Sequence, residues 1–453
     1  MNLFGTAGIR GNVVSRVTPE LALAVGRSAG APGETFVVAR DGRETGAALA
    51  AAMEAGLESA GANVCRAGQL PTPALAFASQ ERNGVMLTAS HNPPTDNGIK
   101  LFDDGQEYAR EAERDVDAGV EDETPPLPWN EWGDSTRIEV LDNYRDAVME
   151  YAREHGAPLD GVRIAVDCGN GMGSVATPQV LRALGAKVVT LNANVDGHFP
   201  GRPSKPTPET LTDLMEFTAN GDFAFGLAHD GDADRIVLVD GNGDVVHEDT
   251  IVAVLAEHYT GTSDADDPVV VTTPNASARI DERVREAGGR VERVRLGALH
   301  EGIASALEDG DDGTEVVFAA EPWKHIHTQF GGWIDGVASA AVLARLVGDA
   351  GGIDALRTDV TERPYRKVSI ECPDDAKVGA MNRLETSVPK RFPEATVQTE
   401  HGVRAELTDG SWVLVRPSGT EPYVRIYAES EDVDGLVAEA KDLVAAAVSV
   451  AKE

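Results

Sequence analysis

The feature that most constrains this chain is a rhythm. Short β-branched runs alternate with helical stretches, and the same order of elements returns three times. TFVVARD (35–41) precedes an Ala-rich helical stretch near 47–60, followed by ANVCRAG and GVMLTAS. VRIAVD (162–167) opens a second series, with a helix near 175–184, then KVVTLN, FAFGLAHD and RIVLVD. PVVVTTPN (268–275) opens a third, with RVERVRLG, EVVFAAEP (315–322) and a helix near 335–347. A parallel strand pair needs a crossover, and a helix supplies it, so this alternation predicts α/β units with mixed, largely parallel sheets. No sequence repeat accompanies the order. The expectation is three similar α/β domains. The rest of the chain breaks the rhythm. KVSIEC (367–372), a helix near 377–388, HGVRAEL, SWVLVRP, YVRIYAES and a last helix predict a C-terminal α+β domain.

At 453 residues the chain is too long for one core and is expected to divide into about three or four domains. The acidic, Pro-rich connector EDETPPLPWNEWGD (121–134) is the expected first boundary, and the segment near 350–366 the last. No run of about twenty apolar residues predicts a transmembrane helix. The N-terminus MNLFGTAGIRGN lacks the charged-then-apolar order of a secretory signal. Cys65, Cys168 and Cys372 are few and far apart, which argues against a disulfide framework and a Cys-rich metal site. A cytoplasmic protein with reduced thiols is the expectation. The formal net charge of −35 repels nucleic acid and anionic membranes, so neither is an expected partner. The acid is spread along a Lys-poor chain, a composition expected of proteins that work in concentrated salt.

TASHNPP (88–94) places Ser90 beside His91 on a Pro-stiffened turn, with NGIK and its Lys100 just downstream. One reading is a strand that ends in a turn, because Asn-Pro and Pro-Pro mark loops. The other is a serine that carries or attacks a phosphoryl group. HDGDADR (229–235) alternates Asp230, Asp232 and Asp234. On an extended loop, residues two apart face the same side, so three carboxylates can converge on one point. A hard cation resolves their repulsion, and oxygen-only ligands favour Mg²⁺ over Zn²⁺. An EF-hand starting at Asp230 fails, because its Gly position is Arg235 and its last Glu position is Gly241. A solvated acidic turn is the plainer alternative.

RPSGTEPYVR (416–425) lies between two strand-like runs. Ser418, Gly419 and Thr420 can present hydroxyls and backbone N–H groups, while Arg416 and Arg425 can give forked donors to phosphate oxygens. A hairpin turn with incidental arginines would carry the same letters. In FGTAGIRG (4–11), Arg10 sits between residues that allow an anion close approach. CGNGMGS (168–174) follows a strand, but its glycine spacing is not GxGxxG, and no dinucleotide site is expected. Taken together these sites read as a phosphoryl-transfer set. Ser90 carries or attacks phosphorus, Mg²⁺ neutralises it, arginines hold phosphate oxygens, and His91 and Lys100 are available as acid and base.

The four motifs FGTAGIRG, TASHNPPTDNGIK, DGDADR and RPSGTEPYVR, in that order over nearly the whole length, resemble the α-D-phosphohexomutase superfamily: phosphoglucomutases, phosphomannomutases and phosphoglucosamine mutases. The resemblance implies four domains around a central cleft: 1–135 with the phosphoserine loop, 136–250 with the metal loop, 251–352 with the sugar loop and 353–453 with the phosphate loop. It implies Ser90 as phosphoserine and as a metal ligand beside Asp230, Asp232 and Asp234. Arg10, His91, Lys100 and Arg235 match the charged groups around the transferred phosphoryl. Arg416, Ser418, Gly419, Thr420 and Arg425 match the loop that holds the substrate's own phosphate. The implied reaction interconverts hexose 1-phosphate and hexose 6-phosphate through a hexose 1,6-bisphosphate, which also serves as activator. Sugar phosphates are the implied partners, with the chain a monomer or homodimer.

The sugar loop departs from the family pattern Gly-Glu-x-Ser-Gly-His. It reads Ala320-Glu321-Pro322-Trp323-Lys324-His325, so Glu321 and His325 remain while Trp323 and Lys324 replace small residues. Trp323 can stack on a sugar face or pack as an ordinary surface residue. Phosphomannomutase or phosphoglucomutase is the first expectation and phosphoglucosamine mutase the alternative. A phosphatase acting through Ser90 would need an open site, and a non-catalytic sugar-phosphate sensor would not need Ser90, His91, Lys100 and all three aspartates.

Overall fold

Runs such as Phe36-Val37-Val38-Ala39 show no polar alternation and are almost wholly buried, as strands covered on both faces must be. The computed structural model describes residues 2–5, 7–418 and 421–451. The chain forms two compact units, residues 1–248 with 322–357, and residues 249–321 with 358–453. Each unit contains two sheets.

In the first unit, strands β1 (Ile9–Asn12), β2 (Thr35–Arg40), β3 (Asn63–Gln69), β4 (Asn83–Leu87), β5 (Asp96–Asp103), β6 (Gln106–Glu107) and β7 (Ser135–Arg137) form one sheet of order β1-β5-β4-β2-β3-β7, with β6 on β5. The β4-β2-β3-β7 core is parallel. β5 and β1 are added antiparallel, which sets Lys100 opposite Met86 and Arg10 opposite Gly98. The alternation pattern did not foretell β5, because Gly98 and Lys100 interrupt its apolar run. The second sheet, of order β11-β10-β8-β9, uses β8 (Arg163–Asp167), β9 (Lys187–Leu191), β10 (Phe225–Ala228) and β11 (Val237–Asp240). Only β11 runs antiparallel there.

In the second unit, β12 (Asp267–Thr272) pairs in parallel with both β13 (Arg290–Arg293) and β14 (Thr314–Glu321). The chain re-enters the first unit with β15 (Lys324–Ile326) and a buried helix, Gly336–Ala350. Asp335 caps that helix by accepting from the N–H groups of Val337 and Ala338, and Gly351, at φ 81°, ends it. The last sheet is antiparallel, of order β16-β20-β19-β18-β17, built from β16 (Tyr365–Glu371), β17 (Thr396–Gln398), β18 (Val403–Glu406), β19 (Trp412–Pro417) and β20 (Tyr423–Glu429). Helices Asp374–Arg391 and Val433–Ala451 contribute to its apolar core through Leu384, Val388, Leu436 and Val444. Among the described residues, no helix is long and apolar enough to cross a membrane.

Several helices lie outside the repeating pattern, among them Pro19–Ala29 and Arg110–Glu121. The first was legible in its cap: Thr18 accepts from Leu21 N–H at 3.3 Å, and Pro19 occupies the first turn.

Candidate active site

Ser90 follows β4, where Leu87, Thr88 and Ala89 are all fully buried. Its backbone is left-handed at φ 50°, a conformation a non-glycine residue keeps only when its surroundings impose it. Its N–H donates to Thr88 Oγ1 at 2.9 Å, and its hydroxyl donates to Asp230 Oδ2 at 2.6 Å. His91 Nδ1 lies 3.3 Å from the same Oγ.

The 230–234 loop reaches Ser90 by a turn. The expectation of an extended loop is corrected here: residues 231–234 bend, with Ala233 at φ 61°, and the turn instead of strand alternation gathers the carboxylates. One oxygen from each of Asp230, Asp232 and Asp234 lies within 4.8 Å of the others. All three side chains are buried. Gly231 is needed at this crossing, because a Cβ there would stand 2.6 Å from the Ser90 carbonyl oxygen.

The carboxylates fit a hard cation. Asp232 Oδ1 and Asp234 Oδ1 are buried and, among the described residues, lack a hydrogen-bond partner. Burial, then repulsion from Asp234 and Asp232, pushes the Asp230 carboxyl well above its usual range. Burial opposes ionisation of Asp234 too, but Lys100, Lys324, Arg235 and Arg10 outweigh it and hold that carboxyl low. Neighbouring hydroxyls steady the rest: Thr72 donates to Asp232 at 2.6 Å, and Thr88 donates to Asp41 at 2.7 Å.

Cations ring the aspartates. Lys100 is 1% exposed and bonds Glu107 at 3.1 Å and Asp234 at 3.2 Å. Burial alone would lower its pKa, but Glu107, Asp234 and Asp232 raise it above the ordinary value. These carboxylates favour the charged form of Lys100. Arg235 Nε stands 3.7 Å from both Asp230 and Asp234. Arg10 Nε and Nη2 are buried without a partner among the described residues, so its fork has donors to spare for an anion. Burial, then Arg235 and Arg10, lower His91 to about 2, so its ring is neutral at ordinary pH.

The CGNGMGS loop is filled from within. Met172 N–H donates to Gly231 O at 2.9 Å, and a Cβ on Gly169 would meet the Arg202 guanidinium at 2.6 Å. It ties to the 230–234 turn through the Met172 bond.

The chain families match decisively at this point. Models of the phosphoglucomutase/phosphomannomutase family cover residues 1–126 (alpha/beta/alpha domain I), 142–243 (alpha/beta/alpha domain II) and 368–447 (C-terminal domain). The chain belongs to this family. A phosphopentomutase of Thermococcus kodakarensis is 39% identical over 437 residues, covering 95% of this chain and 94% of that protein. A probable phosphoglucosamine mutase of Methanopyrus kandleri is 40% identical over 440 residues, covering 94% of each. A phosphoglucomutase/phosphomannomutase family structure from Burkholderia thailandensis superposes with a TM-score of 0.87 at 25% identity, covering 100% of this chain and 98% of that one. As a member of the α-D-phosphohexomutase superfamily the chain is an isomerase of phosphosugars.

The remaining expected residues divide. β19 and β20 set Arg416 directly opposite Arg425. Arg416 Nε and Ser418 Oγ are buried without a partner among the described residues, while Arg425 pairs with Glu421. Gly419 and Thr420 lie outside the described residues. Glu321 ends β14 and accepts from the Gly297 N–H. Trp323, at φ 67°, is half-buried against the apolar cluster of Leu211, Leu214 and Phe223, with its carbonyl accepting from Ile236 N–H at 3.2 Å. His325 lies inside the fold. It is 1% exposed, Ser339 lies 3.0 Å from its Nδ1, and burial lowers it to about 3. The sequence reading passed over Asp41, Arg43, Thr72, Thr88 and Glu107. The signal for the first two was RDGR (40–43), a charged pair at the end of a buried strand.

Proposed function

We propose that the chain is a Mg²⁺-dependent phosphosugar mutase acting through phospho-Ser90, with glucosamine phosphate as its leading substrate. The observation that carries the chemistry is Ser90 Oγ, 2.6 Å from Asp230 in a buried, left-handed turn, with the unspent donors of Arg10 in the same site. The preference for glucosamine over mannose or glucose rests on the M. kandleri relative's name. The T. kodakarensis relative's name makes a pentose phosphate the competing substrate.

Asp230, Asp232, Asp234 and a Ser90 phosphoryl oxygen would hold Mg²⁺, which when bound supplies neutralisation of the phosphoryl charge. Arg10 binds phosphoryl oxygens through its free fork. Lys100, locked by Glu107 and Asp234, adds a fixed positive charge that needs no reorganisation during transfer. The Ser90 Oγ–P bond breaks as a bond forms from phosphorus to a sugar hydroxyl oxygen, and that hydroxyl's proton ends on the departing Ser90 Oγ. In the return step the second phosphate passes to Ser90 Oγ as its bond to the sugar oxygen breaks, and the serine's proton passes to that departing oxygen, while the neutral ring of His91, 3.3 Å away, orients the hydroxyl. Arg416, Ser418, Gly419, Thr420 and Arg425 hold the phosphate that is not reacting. Glu321 accepts from sugar hydroxyls.

The test is a panel of glucosamine, N-acetylglucosamine, glucose, mannose and ribose phosphates, assayed for 1-phosphate to 6- or 5-phosphate conversion with Mg²⁺ and catalytic sugar bisphosphate. The expected result is fastest turnover of glucosamine phosphate, with one phosphoryl group on the TASHNPP peptide by mass. Fastest turnover of ribose phosphate would replace the substrate and keep the chemistry. Release of free phosphate without isomer would overturn the reading.

A further inference from the structure

Arg43 has no catalytic contact, yet no solvent reaches it: its side chain is 0% exposed. Its Nε donates to Asp41 Oδ2 at 3.0 Å. Its Nη1 donates to the carbonyls of Pro93 at 2.7 Å and Asp96 at 2.8 Å. Its Nη2 donates to the carbonyls of Ser90 at 2.9 Å and Asn92 at 2.8 Å. A guanidinium has five N–H groups, and all five are spent. Four of the five acceptors are backbone oxygens of one seven-residue turn, 90–96. The guanidinium carbon also lies 5.1 Å from the centre of the Phe199 ring. Such a cation is costly to bury, and one carboxylate plus four carbonyl dipoles repay it only in this geometry.

We propose that Arg43 is the positioning residue of the Ser90 turn, holding the serine's carbonyl so that its left-handed backbone aims Oγ at the phosphoryl site. The inference rests on the phosphoserine reading above. The Ser90 carbonyl is gripped on one side by Arg43 Nη2 and closed on the other by Gly231, where a Cβ would stand 2.6 Å away. Two prolines alone do not impose this: Pro93 and Pro94 are exposed, and they follow the serine. Asp41 ties the clamp to the metal loop, because Thr88 donates to Asp41 at 2.7 Å, lies 3.2 Å from Asp232, and receives the Ser90 N–H. A phosphoserine must meet two different hydroxyls in one cycle. A fixed backbone leaves only the Cβ–Oγ arm to move, which keeps the reacting distance reproducible.

Lysine keeps the charge but has three donors on a compact head, and it cannot span four carbonyls as a planar fork. Arg43→Lys, assayed beside the parent with the sugar phosphate the parent turns over fastest, is expected to lose about 10²-fold in kcat, the cost of a serine misplaced by about an ångström. KM is expected to stay within about threefold, because the phosphate loop that grips the substrate is untouched. A purely structural role would lower the melting temperature and leave the kcat of the folded fraction alone. A folded Arg43→Lys enzyme with parental kcat, or one altered only in KM, overturns the inference. If Arg43→Lys does not fold, Phe199→Leu decides: it keeps the guanidinium and removes the ring beneath it. A several-fold fall in kcat at constant KM then supports the clamp, and parental kcat overturns it. An inactive parent without phosphoryl on Ser90 overturns the function reading itself, whereas an active parent with an equally active Arg43→Lys enzyme overturns only the role of Arg43.

Discussion

The turn that carries Ser90 and the hairpin that carries Arg416 both read as phosphate chemistry, but they are built on opposite principles. In the Ser90 turn itself the polar groups are spent on one another, and the free ones, on Arg10, Asp232 and Asp234, face it from other elements. The serine bonds Asp230, Thr88 takes its N–H, Arg43 takes its carbonyl, and Lys100 is locked between two carboxylates. Around Arg416 the backbone is tied and the side chains are left over. Lys377 donates to the carbonyls of Ser418 and Glu421 at 2.6 and 2.7 Å, yet Arg416 Nε and Ser418 Oγ are buried with no partner among the described residues. A buried donor without an acceptor costs stability, and a phosphate would relieve it. The contrast separates two tasks. A reacting group needs one enforced geometry, whereas a gripping loop needs free donors that any sugar's phosphate can take.

The sharpest way to break this contrast is Ser90→Ala. It should abolish isomerisation, by on the order of 10⁴-fold or more, and also the phosphoryl mass increment. Binding of sugar phosphate, followed by calorimetry, should survive, because the gripping loop is intact. An active Ser90→Ala enzyme would remove the distinction at its root.

Arg416→Ala probes the other side. Losing one charge-assisted hydrogen bond, about 1.5–3 kcal/mol, should raise KM by roughly 10- to 150-fold. The Ser90 phosphoryl increment should persist, since the chemistry at that turn is untouched. A variant with parental KM would mean that the unpartnered donors of this hairpin do not meet the substrate.

The smallest effect concerns pH. Burial and the Arg235 and Arg10 charges hold His91 at about 2, so its ring takes no proton anywhere between pH 5 and 8. A lowered histidine pKa leaves the neutral form unchanged above that value, so the kcat profile should show no inflection near 6.5 that His91→Gln removes. Finding one would show that the ring is charged in the working enzyme, and that the site is less closed than its burial implies.

Much of this was legible in the letters. TASHNPP, DGDADR and RPSGTEP each hold their chemistry within a few residues, so spacing along the chain already brings the groups near one another. The strand–helix rhythm gave the parallel sheets for the same reason: periodicity is a local property. Arg43 was not legible as a clamp, because four of its acceptors are carbonyls 47 to 53 positions away, and a carbonyl has no letter. Nor was the pairing of Lys100. Its partners Glu107 and Asp234 meet it only because β5 runs antiparallel beside β4 and the 230–234 turn bends onto it. The burial of His325 was not legible either: only the tertiary structure brings Ser339, on the helix Gly336–Ala350, to its ring.

The sequence by itself determined the kind of chemistry, because a serine, three carboxylates and a set of arginines keep their reactivity wherever the chain puts them. The tertiary structure decided which of them meet and in what charge state. Burial raises the cost of every unpaired charge, so the partner found across the fold, and not the residue's own nature, favours the charged form of Lys100 and the neutral form of His91.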